Sequence, residues 1–174
     1  MRLHQLKLEY ITEQDRLLLR LSSDHNAEVL VWLTRRCVKR LWYVLLDVAY
    51  SIPDVALHAN PEVRHALLGF RHAAAVSEAD FAQRYAEVQR TYPLGTQPLL
   101  IVRVDVRKGE KGQHTLELSP EHGDGVLIDL DERLLHGILR LLENGVLKAD
   151  WDLSLKVAPT VVPALSDDEH RIIN

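Results

Sequence analysis

Apolar and polar positions alternate from the start of the chain. Leu6, Leu8 and Tyr10 take one side and Gln5, Lys7 and Glu9 the other, the two-residue period of a half-buried strand. After a polar reversal at Thr12–Asp15, Leu17, Leu19 and Leu21 share a face in Arg16–Ser22, with Arg16, Leu18 and Arg20 opposite. Ser23–Asn26 carries residues whose side chains bond their own backbone, so it reads as a second turn. A third strand follows, Val29, Val31 and Leu33 inward and Glu28, Leu30 and Trp32 outward. Short connections make the three an antiparallel meander. Thr34 then caps a helix whose stripe is Val38, Leu41, Trp42, Leu45, Val48 and Ala49, with Arg36, Arg40, Tyr43 and Asp47 facing away.

Pro53 ends this first unit, and helical periods take over. Asn60 and Pro61 mark a helix start, after which Val63, Leu67, Phe70 and Ala74 are spaced for one face. Ser77 with Asp80 resembles a capping box, and Phe81, Tyr85, Val88 and Tyr92 follow at helical spacing up to Pro93 and Gly95. A helical hairpin over 53–97 is the expectation.

Alternation returns at Leu99. Val102, Val104 and Val106 face away from Arg103, Asp105 and Arg107, Lys108–Gly112 reads as a hairpin turn, and Leu116 and Leu118 lie on the return strand. Beyond His122–Gly125, Gly125–Leu142 repeats the strand, cap and helix of Glu28–Leu46. At a constant offset Val29 falls on Val126, Val31 on Ile128, Leu33 on Leu130, Thr34 on Asp131, Val38 on Leu135, Leu41 on Ile138 and Leu45 on Leu142. The helix is expected to end near Asn144–Gly145. Trp151, Leu153, Leu155 and Val157 alternate with Asp152, Ser154 and Lys156, which suggests an extra strand within 147–158, and 159–174 reads as a loose tail. The fold expected is therefore α+β: two pseudo-repeated βββα units, 1–52 and 98–146, each an antiparallel sheet with a packed helix, separated by the insertion and held in one domain.

Composition narrows the functional classes. The chain has 174 residues, enough for a sizeable core, and a formal net charge of -4, so no global basic field draws it to nucleic acid or anionic lipid. A single cysteine, Cys37, rules out an intramolecular disulfide and reads as a small core hydrophobe. The N-terminus MRLHQLKLEY lacks the apolar run of a signal peptide, and no stretch is apolar enough to span a bilayer, so a reduced, cytoplasmic setting without membrane contact is expected.

Candidate chemistry is sparse. The sequence holds no glycine-rich phosphate loop, HExxH, nucleophile elbow or CxxC. His58, His65 and His72 recur every seven residues, about 10 Å apart along a helix, too far for two to share one ion, and they read as solvated or partner-facing. His114, His122 and His136 have acids nearby but no nucleophile. No catalytic residue, metal or cofactor is expected.

One stretch departs from its copy. Arg35 and Arg36 stand in the first turn of a helix, where the macrodipole disfavours cations, while the second copy has Asp131 and Glu132 there. Lys39 and Arg40 extend the basic end. The outward face of the first sheet adds Lys7, Arg16, Arg20 and Trp32, where the second copy replaces Arg20 by Glu117 and Trp32 by Asp129. Left open, this face suits single-stranded nucleic acid, with Trp32 stacking a base and the cations holding phosphates. Covered, it is core or interface; at the helix start the alternative to an anion site is that Arg35 and Arg36 pair with Glu9, Glu28 or Asp15.

The runs DRLLLRLSS, VWLTRRCVKRLW, YPLGTQPLLIVRVDVR and LDERLLHGILRLLE resemble an uncharacterised family of bacterial proteins of this size, a resemblance that implies no activity. In topology, a duplicated antiparallel sheet with a following helix is similar to the whirly fold of single-stranded-nucleic-acid-binding proteins, which has four strands before each helix where three are found here. The reading that follows is a non-enzymatic binding or protein-interaction module that self-associates through a sheet edge or the Trp32 face. The alternative is single-stranded nucleic-acid binding through Lys7, Arg16, Arg20, Trp32, Arg35, Arg36, Lys39 and Arg40.

Overall fold

A computed structural model describes residues 3–78, 85, 89–109 and 113–157. The first meander forms as the alternation requires. Strand β1 (Leu3–Ile11) pairs antiparallel with β2 (Arg16–Ser23), and β2 with β3 (Glu28–Leu33), so Leu8, Leu19 and Val31 lie side by side. Both reversals use side chains or left-handed backbone. Asp15 sits at φ 46° after a 3-10 turn, and Ser23 Oγ accepts from the amides of His25 and Ala27. Thr34 caps α1 (Arg35–Tyr50) by accepting from the Cys37 amide, and the whole expected stripe from Val38 to Ala49 is buried.

The second unit repeats this in β5 (Arg103–Lys108), β6 (His114–Ser119), β7 (Val126–Leu130) and α4 (Glu132–Ala149), with Asp131 accepting from the Leu134 amide as Thr34 does from Cys37. The two-unit α+β architecture is therefore as the periodicities indicate. Its helices are exchanged between units: α4 lies against β1 and α1 against β5, and both sheets share one core with the two helices.

Four expectations need correction. Helix α4 does not stop at Asn144–Gly145 but runs to Ala149, where Asp150 closes it at φ 51°. Gly145 is there for packing, since a Cβ on it would lie 2.8 Å from Leu8 Cδ2 and 3.1 Å from Leu17 Cδ1. The strand expected at Trp151–Val157 is absent: the alternation buries Trp151 and Val157 against the core, but the segment joins no sheet. The run from Leu99 is not one strand either. Strand β4 (Leu99–Leu100) adds in parallel to β3, the Ile101 amide still donates to Trp32, and the Val102 amide then donates to Ser119 of the second sheet. The edges of both sheets offer backbone partners to this run, and each takes part of it, with Ile101 buried and Val102 exposed.

The insertion is the fourth correction. Helices α2 (Pro53–Ala56) and α3 (Pro61–Glu78) are present, but α3 buries Leu68, leaves Phe70 and Val63 exposed, and runs through Ser77, whose hydroxyl donates to the Ala74 carbonyl rather than capping a new helix. Much of the second expected helix lies outside the described residues. Tyr85 and residues 89–92 are in no helix, and Thr91 instead bonds along the β3 edge, accepting from the Glu28 amide and donating to Asn26. The tail 159–174 is outside the described residues.

Candidate functional site

Register decides what the outer face of the first sheet presents. Lys7 lies beside Arg20, Glu9 beside Leu18, Arg20 beside Leu30, Leu18 beside Trp32, and Trp32 beside Leu100. Two of the three cations of that face, Lys7 and Arg20, are paired with carboxylates. Arg20 forks onto the fully buried Glu28, Nε to Oε1 at 3.2 Å and Nη2 to Oε2 at 3.1 Å. The Tyr85 hydroxyl donates to the same carboxylate at 2.5 Å, and the Arg20 guanidinium lies 5.2 Å from the Tyr85 ring centroid. Burial pushes the Glu28 carboxyl up, but these donors outweigh it and hold it below the usual carboxylate range. The Tyr85 phenol, buried and beside that charge, is pushed up to about 12. Arg20 is thus a structural cation; the pairing with Glu28 expected of Arg35 and Arg36 falls to it instead. Lys7 bonds Glu9 at 2.9 Å, and Arg16 is half-buried beside Ile11.

Trp32 is half-buried, neither open nor enclosed. With Leu18 and Leu30 it forms an apolar strip ending at Leu100, which is 39% exposed.

The basic start of α1 separates from that face. Arg35 lies 5.8 Å from the Trp151 ring, whose Nε1 donates to Asp15 at 2.7 Å; the Tyr10 hydroxyl donates to the same oxygen at 3.0 Å. Those two hydrogen bonds, with Arg35 nearby, hold the Asp15 carboxyl below its ordinary range. This cluster fastens the chain after α4 to the β1–β2 reversal. Arg36, Lys39 and Arg40 are exposed on the solvent side of α1, whose other side packs into the core beneath the inner face of the sheet. The eight expected residues therefore fall into three places: the outer sheet face (Lys7, Arg16, Arg20, Trp32), the reversal (Arg35) and the α1 stripe (Arg36, Lys39, Arg40).

Sequence reading missed a second polar centre. On α3, Arg71 bridges Asp54 at 2.8 Å and Glu132 at 2.7 and 2.8 Å. The next residue, His72, places Nδ1 3.2 Å from Nδ1 of the fully buried His136, and its Nε2 lies 3.9 Å from Glu143. One ring of the pair must donate and the other accept. Burial, reinforced by His72, pushes the His136 imidazole down to about 4, so it is neutral at ordinary pH. Glu143 also accepts from the Val157 amide at 3.2 Å and from Arg140 at 3.3 Å. A groove of about 770 Å³ runs beside these groups, between α3, α4 and Trp151–Val157. The Glu132–His136 spacing of one helical turn was visible in the sequence, but its partner His72 comes from α3 in the insertion.

Among the described residues no group of three or more His, Cys, Asp or Glu is placed to hold a metal ion. The Cys37 thiol is buried and pushed up to about 11, far from a reactive thiolate. Among the described residues no helix is long and apolar enough to cross a membrane. No family model, no curated protein and no solved structure matches this chain.

Proposed function

We propose that this protein is a non-enzymatic protein-interaction module that associates with a second copy of itself through its first sheet, in a reducing, cytoplasmic setting that suits its single buried cysteine. The observation that carries the reading is the contrast between the two outer sheet faces. The first presents the apolar strip Leu18, Leu30, Trp32 and Leu100; the second presents Arg103, Asp105, Arg107, Thr115, Glu117 and Asp129 around Leu127. An apolar strip rimmed by charges is the composition of an interface, and a polar face is that of a solvated surface. Light scattering on the full chain over a wide concentration range tests this. A concentration-dependent dimer supports it, and a monomer at every concentration refutes it.

A second reading, single-stranded nucleic-acid binding, rests on Arg36, Lys39 and Arg40, which stand exposed on one helix face. It predicts oligonucleotide binding that weakens steeply with salt and with Arg40→Glu. It is the weaker of the two because Arg20 and Lys7 are already paired with carboxylates.

A further inference from the structure

We propose that two copies join edge to edge along β1, antiparallel and centred on Leu8, so that two four-stranded sheets become one of eight strands. This rests on the reading that the chain self-associates through its first sheet, and places the contact at the open edge of that sheet rather than over the strip of Leu18, Leu30, Trp32 and Leu100. Strand β1 is the outermost of its sheet and nine residues long, and among the described residues no second strand pairs with its open side. The Gln5 carbonyl accepts from Ser22 Oγ and so faces β2. Strand alternation then turns the backbone groups of Leu6, Leu8 and Tyr10 to the open side. An unpaired row of that length is a template for another strand unless its side chains forbid pairing.

Here the side chains select one pairing. Centred on Leu8, the two-fold sets Leu8 against Leu8 and Leu6 against Tyr10 of the second copy on the inner face. On the outer face it sets Lys7 against Glu9 of the second copy, twice. The neighbouring registers that keep inner face with inner face oppose Lys7 to Lys7 or Glu9 to Glu9, which repels. Within one copy Lys7 and Glu9 hold each other at 2.9 Å, so association exchanges partners and strands no charge. The equivalent strand β5 has Asp105 and Arg107 in these places, but it is three residues shorter and Arg107 is committed to Glu117 at 2.5 Å.

The test is sedimentation equilibrium of the full chain at low salt. Lys7→Glu and Glu9→Lys should each weaken the wild-type dimer at least about tenfold, and an equimolar mixture of the two should restore it, because acid at positions 7 and 9 then meets base at both. In a Cys37→Ala background, Lys7→Cys mixed with Glu9→Cys should form a disulfide-linked heterodimer that neither forms alone. A dimer that survives both charge reversals, fails to cross-link, or is lost on Asp105→Lys overturns the β1 pairing while leaving self-association standing. A monomeric wild type overturns both.

Discussion

The two units share their inward residues and differ in nearly everything that faces outward. Leu19 and Leu116, Leu21 and Leu118, Val31 and Ile128 hold equivalent core positions and are all buried. At the outward pair the copies part. Arg20 grips a fully buried Glu28 beneath Tyr85, whereas the equivalent Glu117 takes Arg107 at the surface and Gly125 stands where Glu28 would be. The shared positions answer to one requirement, the common core. The unshared ones answer to what covers each sheet: the insertion reaches Glu28 through Tyr85 and Thr91, and among the described residues no such segment reaches Glu117.

The sharpest way to break that comparison is to remove the charge at the equivalent position of each unit. Arg20→Met leaves the Glu28 carboxylate buried with no countercharge and only the Tyr85 and Tyr92 hydroxyls as side-chain donors, and should cost roughly 3 kcal/mol in urea unfolding. The mirror change in the second unit, Glu117→Met, loses an exposed pair and should stay within about 0.5 kcal/mol. Equal effects would mean that the Arg20–Glu28 pair is no more structural than its surface counterpart.

The next comparison sets the buried imidazole against the hydrogen-bonded carboxylates. The folded His136 titrates at about 4, below its ordinary 6.5, so as pH falls the unfolded chain takes up the proton first. Stability should therefore be full above about pH 6.5 and fall progressively toward pH 4, by roughly 3 kcal/mol in all. Glu28, Glu132 and Glu143 have lowered folded pKa values, so their contribution is present above the ordinary carboxylate pKa and is lost only below it. His72, Glu132 and Arg71 face His136, and of these only Glu132 favours its charged form. Unfolding midpoints at neutral pH and pH 5 should differ clearly in the wild type and much less in His136→Leu. An unchanged pH dependence in that variant would remove His136 as the cause.

Glycines in α4 give a comparison of opposite signs. Gly137 has nothing within 4 Å of where a Cβ would stand, so Gly137→Ala should stabilise by about 0.5 to 1 kcal/mol through helix propensity. Gly145→Ala gains the same propensity but drives a methyl into Leu8 and Leu17. With Leu17 fully buried, overpacking should win, for a net loss of about 1 kcal/mol.

The same glycine shows where the sequence was legible. Strand period, cap residues and apolar stripes are local, so β1–β3, Thr34, the α1 stripe and their copies could all be read. Gly145 looked like a helix stop because its reason, the approach of β1, lies more than a hundred residues away in the chain. Leu99–Leu100 looked continuous with β5 because nothing local says that β3 offers an edge. Phe70 looked inward because spacing identifies a face without saying whether anything packs on it. Among the expected site residues, the outward direction of Trp32 and Arg20 was readable, but Arg20's engagement with Glu28 needed Tyr85 to bury the pair. The His72–His136 contact depends on α3 meeting α4, which no local pattern encodes.

The smallest effect concerns the two helix starts. Helix α4 begins with Asp131 and Glu132, and α1 with Thr34, Arg35 and Arg36, so both carry a cap but only one suits the positive end of its dipole. Arg35 is accounted for by Trp151 and Asp15, and its replacement would disturb that anchor. Arg36 is exposed, so Arg36→Glu should stabilise the fold by about 0.3 to 1 kcal/mol and raise the unfolding midpoint slightly. A gain of that size means that Arg36 is kept at a cost to folding, which is the expectation for a residue retained to meet an anion. A neutral or destabilising result means that the charge already answers a field within the folded chain, and the basic stripe of α1 then loses its claim to a ligand.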